Sequence, residues 1–213
     1  MRNIKCIISL LLLLILSFTF MVSADKITLQ NGDSYRGELL NDNLKIKTSY
    51  AEVNIQSSYL NQIIKEENEV FLIKAVENNR FSGDLLSDLR FSSDGEELVI
   101  NKEDLKLLDL SSPQSFNDNK AVSVTVKNGD YFYANSMVDS ISVQTSLGSP
   151  INIKFSSINS IEYLKNEELY LIKRKQGDDI KAEFAQNKLV VWPAAGEIFE
   201  LDLNHLQRLE LNN

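Results

Sequence analysis

Short runs of alternating apolar and polar residues fill the chain from residue 25 onward. LKIKT sets Leu44 and Ile46 on one face and Lys45 and Lys47 on the other; EVNIQ does the same with Val53 and Ile55. A period of two is the mark of a strand with one face in a core and the other in water. Helical spacing of any length is absent from the same region, so the pattern predicts an all-β protein. Asn31-Gly32 and Asn128-Gly129 lie between such runs and predict type I′ hairpins, whose two turn residues must tolerate positive φ. SSYLNQI predicts one short helical turn that presents Leu60 and Ile63.

The pattern is written twice. Ile27–Asp33 (ITLQNGD) returns as Val124–Asp130 (VTVKNGD), LKIKTSY as ISVQTSL, EVFLIK as ELYLIK, and GEELVINKEDLKLL as GEIFELDLNHLQRL. A repeat of nearly one hundred residues governs the whole fold expectation. Each half divides again, because ITLQNGDSYRGELL is echoed by FLIKAVENNRFSGDLL. Counting from Asp33, Asn79, Asp130 and Asp178, an apolar residue follows at the second position (Tyr35, Phe81, Phe132, Ile180) and a tiny one at the fourth (Gly37, Gly83, Ala134, Ala182). A tiny residue on the inner face of a strand predicts a sharp bend or a close backbone approach. The expected organisation is therefore four tandem five-stranded modules arranged as a duplicated pair: 25–69, 70–110, 121–166 and 167–213, with 111–120 as a linker. Modules this short sit near the lower size limit for a self-sufficient core, which predicts packing in pairs.

KITLQNGDSYRGELL followed by LKIKTSYAEVNI and LNQI resembles a small envelope repeat of bacterial exported proteins, written as Leu-x-Asn-Gly-Asp and then a glycine. That repeat is similar to SH3-like and Sm-like barrels. The resemblance covers most of the first and third modules and implies small, strongly bent five-stranded barrels in all four. In one family the repeat precedes an outer-membrane barrel. This chain ends at Asn213 without such strands, so no pore role is carried over.

MRNIKCIISLLLLLILSFTFMVSA has a basic start, an apolar stretch and small residues before Asp25, the pattern of a signal peptide spanning residues 1–24. An uncleaved N-terminal membrane anchor is the rival reading. Both place the remainder outside the cytoplasmic membrane, in the periplasm or beyond, with no membrane span after cleavage. Cys6, the single cysteine, belongs to this leader, so disulfides are excluded from the rest and the fold must rest on apolar packing. Losing Arg2 and Lys5 takes the net charge from −8 to −10. That sign disfavours nucleic acid, whose binding draws on counterion release from phosphates.

Little in the sequence carries chemistry. His205 is the one histidine and lies among leucines in LDLNHLQRL, so it reads as packing or surface. With no cysteine beside it, the usual zinc ligand sets are excluded; no cofactor is expected, and no phosphate-cradling glycine loop is present. Asp33, Asp130, Asp178 and Asp179 crowd the hairpin turns, where local hydrogen bonding accounts for them. Asp94-Gly95-Glu96-Glu97 reads as another turn. Trp192, before Pro193, reads as a cap on the core. Tyr131 and Tyr133 flank Phe132 and point outward together, which fits either a seam between modules or a surface that anchors a sugar or a protein partner.

The expectation is an exported, non-catalytic binding or scaffold protein of the envelope whose small barrels contact another envelope protein. Two alternatives stand beside it. One is a module for cell-wall glycan or polysaccharide at Tyr131 and Tyr133; the other is a hydrolase working through paired carboxylates. The oligomeric state is not fixed by the sequence.

Overall fold

The computed structural model describes residues 24–67, 69–116, 120–146 and 148–212. The expected leader, except for Ala24, and the centre of the expected linker lie outside them. The described residues form twenty strands and five single-turn 3-10 helices, and the chain is all-β with antiparallel pairing. No helix among them is long and apolar enough to cross a membrane.

The first half contains β1 (Asp25–Leu29), β2 (Ser34–Leu39), β3 (Asn43–Thr48), β4 (Glu52–Gln56), β5 (Leu60–Lys65), β6 (Phe71–Ala75), β7 (Arg80–Leu85), β8 (Leu89–Ser93), β9 (Glu96–Ile100) and β10 (Leu105–Asp109). The second contains β11 (Val122–Val126), β12 (Tyr131–Ser136), β13 (Ser140–Gln144), β14 (Ile151–Lys154), β15 (Ile158–Leu164), β16 (Leu169–Arg174), β17 (Ile180–Phe184), β18 (Lys188–Pro193), β19 (Phe199–Asp202) and β20 (Leu206–Leu211). Every fourth-to-fifth strand connection carries a 3-10 turn, and Ser57–Tyr59 is the turn expected from SSYLNQI.

Pairing does not follow the module boundaries. In the first half the strands lie in the order β9-β8-β2-β1-β10-β5-β6-β7-β3-β4. The second half repeats it as β19-β18-β12-β11-β20-β15-β16-β17-β13-β14. Each path reads the same from either end once its two sets of five strands are exchanged. Residues 25–69 and 70–110 thus interleave: β2 takes β8 as its outer neighbour, and β3 takes β7. The end strands β4, β9, β14 and β19 each pair with a single strand, so the sheet does not close.

The tiny residues lie where a strand changes partners. β2 pairs with β1 through Gly37 and with β8 from Glu38 onward. β7 pairs with β6 through Gly83 and with β3 from Gly83 to Leu85. Ala134 and Ala182 mark the same switch in β12 and β17. A Cβ on Gly37 would collide with the Ser92 carbonyl, and one on Gly83 with the Lys47 carbonyl. The bend and the close approach read from the sequence are one feature: a strand crossing from one layer to another.

The Asn-Gly turns correct the type I′ expectation. Gly32 N–H donates to the Leu29 carbonyl and Leu29 N–H to the Asp33 carbonyl. Gly32 has φ +93°, while Asn31 is not among the residues of positive φ. This is a three-residue loop with glycine in the left-handed bulge position. Asn31 Oδ1 accepts the Asp33 N–H at 3.0 Å, and its amide donates to the Asp33 carboxylate at 2.8 Å; Asn128 and Asp130 repeat both bonds at 3.0 Å. That side-chain clasp, rather than a left-handed asparagine, explains why Asn-Gly-Asp recurs. Both turn residues do have positive φ at Asp94 (+52°) and Gly95 (+84°), which join β8 to β9.

One apolar core runs through both halves. Where they meet, Phe132 stacks on Phe81 at 5.4 Å between ring centroids and on Tyr50 at 6.2 Å, with Phe199 at 5.7 Å. The described first part of the expected linker is held as well: Phe116 is buried against Tyr59, and Gln114 N–H donates to the Ser58 carbonyl.

Candidate binding surface

The two halves join at a seam built from backbone and one buried acid. At the free side of β4, Gln56 N–H donates to the Ala195 carbonyl and Glu197 N–H to the Asn54 carbonyl, both at 2.9 Å. These bonds bracket a bridge between Ile55 and Gly196. Gly196 is required there, because a Cβ would strike the Asn54 carbonyl. Asp130, fully buried, accepts the Ser82 N–H at 2.8 Å. The Tyr50 hydroxyl is buried beside that carboxylate, and neither it nor the second Asp130 oxygen has a well-formed hydrogen bond among the described residues. Burial, then the neighbouring Asp130 charge, pushes the Tyr50 phenol well above its ordinary pKa.

Tyr131 and Tyr133 lie on this seam. Their rings meet edge to face at 5.4 Å, and both are half-buried. Tyr131 pairs across to Arg80, and Tyr133 N–H donates to the buried Asn79 amide oxygen at 2.8 Å. Burial, with the Tyr133 phenol beside it, pushes the Tyr131 phenol up to about 12. The main chain of this pair thus joins the two halves, while both rings keep part of their surface exposed.

Trp192 differs from its expectation. It is 42% exposed rather than a core cap, because Asn135 is its neighbour on β12 and both point away from the core while Pro193 points in. Its indole N–H donates to the Gly196 carbonyl at 3.2 Å, which fixes the ring. Ile198, 53% exposed, lies opposite it, one step beyond the Val191–Phe199 pair. Met137, 47% exposed, adjoins the same strand through its N–H to the Val190 carbonyl. In the first half the matching positions are Ser92 and Glu97, which pair in the same register. Sequence reading missed this surface because Trp192 was judged alone. The repeat alignment, which sets Trp192 against Ser92 and Ile198 against Glu97, held the signal.

A groove of about 620 Å³ runs beside the seam, lined by Lys45, Tyr50, Glu52, Lys188, Ile198 and Glu200 among others. Both of its lysines are paired: Lys45 meets Glu52 at 3.0 Å and Lys188 meets Glu200 at 2.5 Å. Among the described residues no group of three His, Cys, Asp or Glu side chains could hold a metal ion. His205 sits in a 3-10 turn, 3.9 Å from Asp202, and its carbonyl accepts the Lys127 N–H. Lys127 in turn lies over the Tyr163 ring at 3.5 Å, and burial lowers its pKa.

Compared with family models, curated proteins and solved structures, the chain has no match. What fold and surface define is an all-β, antiparallel, internally duplicated protein with exposed Trp192, Ile198 and Met137 on one half.

Proposed function

We propose that this is an exported, non-catalytic binding protein of the bacterial envelope, built from four SH3/Sm-like units, that docks another envelope protein. The interleaved five-strand sets, each with a 3-10 turn before its last strand, support the barrel ancestry. One observation carries the binding reading: a half-exposed Trp192, hydrogen-bonded to the Gly196 carbonyl, and an exposed Ile198 stand where the sister half has Ser92 and Glu97. Exposed apolar clusters of this kind, rimmed by charge, mark interaction surfaces, and tryptophan is the commonest energetic centre of them. Lys188 and Glu200 supply the rim. The net charge keeps nucleic acid out of the reading.

The test is in-cell photocrosslinking from a reactive amino acid placed at position 198 of the full chain, with and without Trp192→Ala. A discrete protein adduct that disappears with Trp192→Ala supports the proposal. Retention on a cell-wall glycan column, lost with the same substitution, replaces the protein partner with a sugar. Adducts indifferent to Trp192 sink both.

A further inference from the structure

The duplication leaves the seam half used. Within the chain, the β4 edge of the first half receives the β18–β19 turn of the second. Among the described residues the counterpart edge, β14, pairs only with β13, and the counterpart turn, Asp94-Gly95 between β8 and β9, bridges to no other strand. We infer that the protein associates head to tail with copies of itself, β14 of one copy receiving the Asp94-Gly95-Glu96 turn of the next.

The residues at the open ends repeat the seam in sequence and are matched in charge, on a turn tighter than its counterpart: Ser93 pairs with Glu96, and Asp94 and Gly95 have positive φ where Gly196 does not. Inside the chain, Asn54-Ile55-Gln56 faces Ala195-Gly196-Glu197. Between copies, Asn152-Ile153-Lys154 would face Asp94-Gly95-Glu96. Asparagine against glutamate and isoleucine against glycine are unchanged. The third pair changes on both sides, and neutral Gln56 with Ala195 becomes Lys154 with Asp94. Opposite charges directly across an antiparallel pair are favourable, and like charges are not. The main-chain groups of Asn152 and Lys154 point outward, since β14 keeps on β13 the register that β4 keeps on β3 (Phe155 N–H to Asp139 carbonyl, Ser57 N–H to Asp42 carbonyl).

Burial gives independent support. Phe132 and Phe81 are fully buried because they stack on each other across the seam. Their counterparts, Tyr35 and Ile180, are apolar too, yet half-exposed at the open ends. The same superposition brings Tyr35 of one copy to Ile180 of the next. A surface that recurs by rotation and translation rather than by a twofold is heterologous, so it builds a ring or an open chain.

The experiment uses the full chain in detergent with Cys6→Ser as background. Cross-strand neighbours lie within disulfide reach. Mixing an Asp94→Cys protein with a Lys154→Cys protein is expected to give a disulfide-linked dimer that neither forms alone and that an Asn204→Cys partner does not form. In sedimentation, Asp94→Lys is expected to weaken self-association about tenfold at low salt, and adding Lys154→Glu to the same chain to restore it. Mixed disulfides no more abundant than with Asn204→Cys would overturn the inference. So would association indifferent to the charge reversal.

Discussion

The Asp130 carboxylate accepts the backbone N–H of Ser82 at 2.8 Å, reaching from the second half of the chain into the first. Its counterpart Asp33 holds the same asparagine clasp but is exposed and bonds only within its own turn. One motif therefore does two jobs, and its two copies can be compared directly. Asp130→Ala is expected to cost about 2–3 kcal/mol, the range for removing a charged acceptor from a buried donor. Asp33→Ala should cost about 1 kcal/mol or less, since water replaces the lost bonds. Urea midpoints of the two variants decide this, and equal shifts would mean that Asp130 is not a joint.

Gly37 and Gly83 offer a second comparison. A methyl group at either would enter a carbonyl of the crossing strand, whereas at Gly32 it meets open space. Gly37→Ala and Gly83→Ala are therefore expected to destabilise by about 3 kcal/mol or more, beyond the usual cost of overpacking. Gly32→Ala costs only the left-handed backbone penalty, about 1–2 kcal/mol. Thermal melts that rank Gly32 above the other two would remove the bend from the account.

The interleaved pairing predicts which fragment folds. Residues 25–69 hold β1 to β5 but lose β7, β8 and β10, the outer partners of β3, β2 and β1. Residues 43–85, of nearly the same length, hold β3 to β7 in the unbroken pairing order β4-β3-β7-β6-β5. By circular dichroism the second fragment is expected to retain more β structure than the first. A sharp cooperative melt for 25–69 alone would show that the modules are separable after all.

Alkaline pH should open the seam. Burial raises the phenols of Tyr50 and Tyr131, and burial together with the Tyr163 and Asp202 neighbours takes Tyr170 to about 12. Unfolded tyrosine loses its proton near pH 10, at about the reference value. The folded chain thus holds protons that the unfolded chain has released, and stability falls as pH rises from about 10 toward 12 and is unaffected below. Tyrosinate absorbance and the loss of β signal should rise together in that window, and Tyr50→Phe should make the fall shallower. Ionisation of all seven tyrosines near pH 10 in a fully folded chain would contradict this.

The alternation of LKIKT and EVNIQ was enough to place strands at Asn43–Thr48 and Glu52–Gln56, because a period of two follows from the pleat itself. Gly37 and Gly83 were legible as bends for the same local reason. Asn31-Gly32 was misread because two loop types share that dipeptide, and the choice between them rests on where the Asp33 N–H goes. Trp192 was misread because exposure depends on its neighbour across the sheet, Asn135, fifty-seven positions away.

Local patterning settled what could be decided within a few residues, the strands and the bends at Gly37 and Gly83, and comparison of distant stretches settled the duplication. Partners were decided only in three dimensions. Antiparallel hydrogen bonding is blind to side-chain identity, so nothing in the letters of β2 states that it bonds to β8, more than fifty positions on, rather than to adjacent β3. Packing chose, since Leu39 and Phe91 are both buried at that crossing, and the same choice turned Asp130 from a turn residue into the joint between the halves.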